Sequence, residues 1–189
     1  MIRCAALFLL AAIGCGKSTR SSTSTSASDE TQAEPDTGVS PMDARESTQW
    51  AAASQGDPEE LMRVADLVGC EGLRDRASQV ELRATAIRAM QYCSDYSELP
   101  WLAELANGKN EADARAALEV IDELAARPRR ATDPEDAEEL HVGCGALLSI
   151  ARSTSQPKQR RVLAVRALRM LSERGCVRRV DIPTDLDAK

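Results

Sequence analysis

Aromatic side chains make up only 3% of the 189 residues, and histidine occurs once, as His141. A single imidazole leaves no His-Glu-x-x-His helix, and neither a Gly-x-Ser-x-Gly elbow nor a Cys-x-x-Cys pair accompanies it. The familiar hydrolytic, metal and thiol-redox constellations are therefore missing. His141 stands three residues before Cys144, but a zinc set there lacks further ligands. The sequence thus assigns no catalytic residue, no cofactor and no metal, and the expectation is a protein that is not an enzyme. Basic charge is also short: the formal net charge is −6, which argues against nucleic acid as a partner. β-Branched residues are too sparse for several strands, and the one long apolar run, from about residue 5 to 13, is too short to cross a bilayer as a helix.

That run is nevertheless informative. Arg3 precedes it, and it ends in Leu9-Leu10-Ala11-Ala12-Ile13-Gly14-Cys15, which resembles the lipobox of bacterial lipoproteins. The resemblance implies export, cleavage after Gly14 and acylation of Cys15, so that membrane lipid becomes a partner through that residue. Residues 1–14 are then a signal peptide. The same stretch, Ala11 to Ser18, also fits a loose P-loop pattern. A phosphate cradle needs a preceding buried strand and a following helix, whereas the residues that follow are Ser21-Ser22-Thr23-Ser24-Thr25-Ser26, and no nucleotide is expected. Residues 15–40 read as the lipidated cysteine and a disordered Ser/Thr-rich tether, with an end-to-end reach of about 25–30 Å. Gly16, where an Asp would retain such a protein at the inner membrane, favours the outer one by the same resemblance; the expected location is the periplasmic face of the cell envelope.

Residues 41–180 are enough for one domain with a core, and 181–189 read as a flexible tail. Ala, Leu, Arg and Glu dominate the body, a helical composition. Apolar residues recur at helical spacing in Leu61-Val64-Ala65-Val68, Leu82-Ala86-Ala89-Met90, Ala117-Leu118-Ile121-Leu124-Ala125 and Leu163-Ala164-Ala167-Leu168-Leu171. Gly56-Asp57-Pro58 and Asp133-Pro134 look like helix starts, while Asn107-Gly108 and Arg127-Pro128 look like stops. The acidic run from Asp133 to Glu139 suits a solvated first turn. The fold class predicted is all-α, with about six to seven helices and no β-sheet, as a short solenoid or an irregular helical bundle.

Three segments align as Ala-apolar-polar-small-apolar: Ala86 to Met90, Ala117 to Ile121 and Ala164 to Leu168. Val68-Gly69-Cys70-x-x-Leu73 and Val142-Gly143-Cys144-x-x-Leu147 repeat a second motif upstream of the first and third. With Arg83 and Arg161 each three residues before the aligned Ala, these segments resemble the second helix of HEAT repeats, a resemblance that covers roughly residues 58–174. It implies stacked helix pairs. The body holds four cysteines, Cys70, Cys93, Cys144 and Cys176, an even number that suggests two disulfides in an exported domain. Three connectivities are open. The repeat favours Cys70–Cys93 and Cys144–Cys176, since each pair would staple one helix pair, at about 3–4 kcal/mol per bridge.

Arginines cluster on and after two of the repeat helices, among them Arg83, Arg88, Arg160, Arg161, Arg166 and Arg174, and Tyr92, Tyr96 and Trp101 sit around one turn. A basic ridge with aromatic anchors is a surface for a partner protein; pairing of the arginines with nearby carboxylates is the alternative. The residues singled out are Arg83, Arg88, Tyr92, Tyr96, Trp101, Arg161 and Arg166. The function expected is a membrane-anchored scaffold or adaptor that binds an unknown envelope protein; a structural subunit of an envelope complex, a thiol-redox protein and an unrecognised enzyme are the alternatives.

Overall fold

Helix starts follow the capping chemistry of the chain. In the computed structural model, which describes residues 44–127 and 134–186, the Asp57 side chain accepts hydrogen bonds from the backbone N–H of Glu59 (2.8 Å) and Glu60 (3.2 Å). Asn110 does the same for Ala112 (3.1 Å) and Asp113 (3.4 Å), so two helices begin on side-chain caps. The lipobox, Cys15, the tether and the cap at Asp133 lie outside the described residues.

Seven α-helices result among the described residues: α1 (Ala44–Ala53), α2 (Pro58–Arg76), α3 (Val80–Ala89), α4 (Leu99–Asn107), α5 (Glu111–Ala126), α6 (Pro134–Arg152) and α7 (Lys158–Ser172). Short 3-10 turns occupy Met90–Tyr92 and Arg179–Asp181. The described residues contain no strand, and no helix among them is long and apolar enough to cross a membrane. Gly108 closes α4, its N–H bonding to the Leu105 carbonyl at 2.9 Å. Before Pro128, Arg127 turns extended at ψ 138° and ends α5.

Short connections fold α3 back on α2, α5 on α4 and α7 on α6. The second helices of these hairpins stack in chain order, α3 on α5 and α5 on α7, while α4 lies against α6 and α1 covers the first hairpin. The three aligned segments of the sequence are thus the three helices of one layer. Ile87, Leu118 and Val165 occupy the same register and are 0%, 1% and 2% exposed, which places the aligned apolar position in the core of each helix. Fully burying such side chains is worth about 1.5–3 kcal/mol each.

The two Val-Gly-Cys-x-x-Leu copies agree in part. Leu73 and Leu147 are buried alike, but the glycines differ. Gly69 takes φ 70° and ψ 171° and kinks α2, a conformation open in practice to glycine alone. Gly143 stays helical, and its missing side chain lets α4 approach: a Cβ there would lie 2.5 Å from Cγ of Leu99. The cysteines that follow both glycines stand at disulfide distance from their expected mates. Cα–Cα separations are 5.7 Å for Cys70 and Cys93 and 6.0 Å for Cys144 and Cys176, within the range a bridge requires. Each pair ties the first helix of a hairpin to the chain just beyond the second.

One boundary needs correction. Residues 181–186, expected within a flexible tail, are docked: Ile182 and Leu186 are buried, Arg152 donates to the Asp181 carbonyl at 2.7 Å and Arg161 pairs with Asp185 at 3.6 Å. Apolar anchors at two positions hold the strap over the end of the last hairpin.

Candidate functional site

Most of the expected basic ridge is absorbed by the fold. Arg160 is buried, with its guanidinium donating to the carbonyls of Gly108 (2.8 Å) and Ala106 (3.4 Å) and pairing with Glu111. Arg174 donates to the Ala125 carbonyl at 2.7 Å, to the Arg127 carbonyl and to the Tyr96 hydroxyl at 2.6 Å. Both cations satisfy the orphan carbonyls at the end of a helix, α4 and α5 respectively, where the macrodipole also favours them. They are structural staples rather than a surface for a partner.

The seven residues singled out from the sequence separate accordingly. Tyr96 is fully buried, its N–H donating to Asp136 Oδ1 at 2.8 Å, so it is withdrawn from any partner surface. Tyr92 is half-buried beneath the Arg127 guanidinium, 4.9 Å from the ring centre. Arg161 is mostly covered, donating to the Ala151 carbonyl at 3.1 Å. Arg83 pairs with Asp113 at 2.7 Å and reaches the Ala77 carbonyl; with Trp101 it lines a hollow of ≈ 360 Å³ also bounded by Arg74, Asp75 and Leu105. Arg166 is exposed and Arg88 is half-buried, its Nε donating to the Ala84 carbonyl at 3.2 Å, and these two line one groove.

They flank a groove of ≈ 400 Å³ that runs across α3, α5 and α7. Arg88 comes from α3, Gln91 from the 3-10 turn that follows it, Leu163 and Arg166 from α7, and α5 supplies Ala116, Glu119, Val120, Asp122 and Glu123. The spacing explains the lining: Glu119 and Val120 lie three and four residues beyond Ala116 on α5, and Glu123 lies four and three beyond them, while Leu118, Ile121 and Leu124 point into the core. Glu119 bonds Arg115 at 2.9 Å on the open side. Within the groove, Arg166 reaches Asp122 Oδ2 at 2.9 Å, and Asp122 Oδ1 is buried with no hydrogen-bond partner. Burial pushes the Asp122 carboxyl above its ordinary range; Arg166 opposes the shift and Glu123 reinforces it.

A second strained carboxylate was not foreseen. Glu98 precedes α4 yet makes no side-chain capping bond. It is 5% exposed, and its Oε2 has no partner. Burial raises its pKa; Arg74 lowers it, and Asp95, Glu139 and Glu71 each raise it further. In sequence, Ser97-Glu98-Leu99-Pro100 reads only as a loop entering a helix, and nothing local signals that tertiary packing covers the acid. Asp122 was missed for a related reason, since a row of acids on a helix is ordinarily a solvated face.

His141 is exposed on α6, with Nδ1 3.0 Å from the Ala137 carbonyl. No three His, Cys, Asp or Glu side chains among the described residues are grouped to hold a metal ion. Comparison with family models, with curated proteins and with solved structures finds no match. The groove and its charges are therefore what a functional reading rests on.

Proposed function

We propose that the chain is a lipid-anchored, extracytoplasmic protein of the cell envelope whose short HEAT-like body binds a partner protein along the α3–α5–α7 groove. The observation that carries the reading is the groove itself, an open trough with an apolar floor of Ala116, Val120 and Leu163 and charges of both signs on its lips. A surface of that kind suits a chain segment, with apolar contact at the centre and polar contact at the rim. The lipobox ending at Cys15 supports the anchoring, and cysteine pairs at disulfide distance suit an oxidising compartment.

Two experiments test the two halves. Cys15→Ser should abolish fatty-acid labelling of the chain; unchanged labelling removes the anchor. For binding, the lipidated protein is cross-linked and captured from detergent-solubilised envelope beside a groove variant, Glu119→Lys with Glu123→Lys, and a control on α6, Glu138→Lys. All three positions are exposed. A partner kept by the control and lost by the groove variant supports the reading, and a partner indifferent to both contradicts it.

A further inference from the structure

We propose that the groove recognises an arginine side chain of the partner and seats its guanidinium on Asp122. The inference rests on the groove-binding reading above and names the chemistry that the groove selects.

Asp122 is an incompletely served carboxylate on the groove wall, its Oδ1 covered while Arg166 is in place. Its side chain is 15% exposed, one oxygen is held by Arg166 at 2.9 Å, and the other has no donor. A carboxylate so far removed from water needs bonds to both oxygens, and the fold supplies one. That one is replaceable, because the Arg166 side chain is 65% exposed and gives up little by returning to solvent. An incoming guanidinium offers two parallel N–H donors in a fixed fork, which matches two carboxylate oxygens; an ammonium is a point charge and matches one less well.

The rest of the groove suits the rest of that side chain. Val120 and Leu163 beside Asp122 give apolar contact to a methylene stem, the way long cationic side chains ordinarily lie. Glu123 adds negative charge next to Asp122. Arg88 on the α3 wall acts against a run of basic residues and favours an acidic neighbour to the bound arginine. A single arginine flanked by an acid is therefore preferred to a polybasic segment.

The test uses the full chain in mild detergent, with Nα-acetyl-arginine methylamide as the probe and its lysine and citrulline counterparts as controls, followed by amide NMR shifts. The arginine probe should give saturable shifts at Val120, Asp122 and Leu163, the lysine probe should bind at least about tenfold more weakly, and citrulline should leave the spectrum unchanged. Asp122→Asn should lose the arginine response. Arg166→Gln should strengthen it several-fold because a competing cation has gone, whereas a merely structural Asp122–Arg166 pair would give a weaker response or none.

Equal binding of lysine and arginine, an unchanged response in Asp122→Asn, or no saturable binding overturns the proposal. The outcomes separate from those of the scaffold reading. A partner released by the Glu119/Glu123 variant from a protein that ignores the arginine probe refutes this site and leaves the scaffold standing. Arginine binding in a protein whose partner ignores the groove does the reverse.

Discussion

Gly143→Ala sets two effects of known size against each other. In the middle of α6, alanine should gain about 0.8–1.0 kcal/mol in helix propensity over glycine. Against this, the added Cβ would meet Leu99 at 2.5 Å from Cγ, 2.8 Å from Cδ2 and 3.1 Å from the backbone carbonyl carbon. Leu99 is itself fully buried, and because the third contact is with backbone, a rotamer change of Leu99 cannot relieve it. Either α4 moves away from α6 or the core is overpacked, which costs about 1–3 kcal/mol or more. The backbone contact puts the packing cost in the upper part of that range, so the packing term should win, leaving the variant less stable by about 1–2 kcal/mol. Gly145 supplies the control two residues along the same helix: a Cβ there meets nothing within 4 Å, so Gly145→Ala should stabilise by several tenths of a kcal/mol to about 1 kcal/mol. Urea unfolding of the oxidised protein reads both as shifts of midpoint at constant slope. If both variants shift the midpoint the same way, the close α4–α6 approach at Gly143 is wrong.

Glu98→Gln should stabilise the protein at neutral pH. The folded pKa of Glu98 is raised above its ordinary 4.5, so its favourable contribution is complete below that value and fades as pH rises through the folded value. The stability difference between the variant and the natural chain should be largest near pH 7 and vanish toward pH 4; a difference independent of pH would show that the carboxyl does not titrate as described. Truncation of Ile87 or Leu118 to Ala should cost about 2–5 kcal/mol, and Val165→Ala somewhat less, while Glu119→Ala stays within about 0.5 kcal/mol; equal effects would contradict the shared register of α3, α5 and α7. Mass spectrometry of the unreduced protein should yield Cys70 linked to Cys93 and Cys144 linked to Cys176, and four alkylatable thiols in the body would refute the pairing.

Features with a local cause were readable from the sequence. Asp57 starts a helix because its short acceptor reaches backbone N–H groups two and three residues on, and Gly108 and Pro128 mark where helices cannot continue. The alignment of Ala86, Ala117 and Ala164 found one layer of the fold because equivalent helices bury equivalent faces, and the same alignment anticipated which cysteines meet. Charge was less legible. Arg160, Arg166 and Arg174 look alike as residues, yet one caps α4, one crosses an open groove and one caps α5. Apart from Gln156, four residues before Arg160, their partners lie 44 or more positions away in the chain, so no local pattern could sort them. The two copies of Val-Gly-Cys-x-x-Leu make the same point: Gly69 breaks a helix and Gly143 admits a neighbouring one, a difference created by α4 rather than by the motif.

The groove as a partner surface is tested most directly by site-specific photo-cross-linking in living cells that express the full chain. A photoreactive residue is placed at Leu163, in the groove, or at Met62, which is exposed on α2 and contributes nothing to the groove. The account predicts a discrete adduct from position 163, none from position 62, and loss of that adduct when Glu119 and Glu123 are both changed to Lys. Adducts of equal yield from both positions, or an adduct at 163 untouched by the charge reversal, would contradict it.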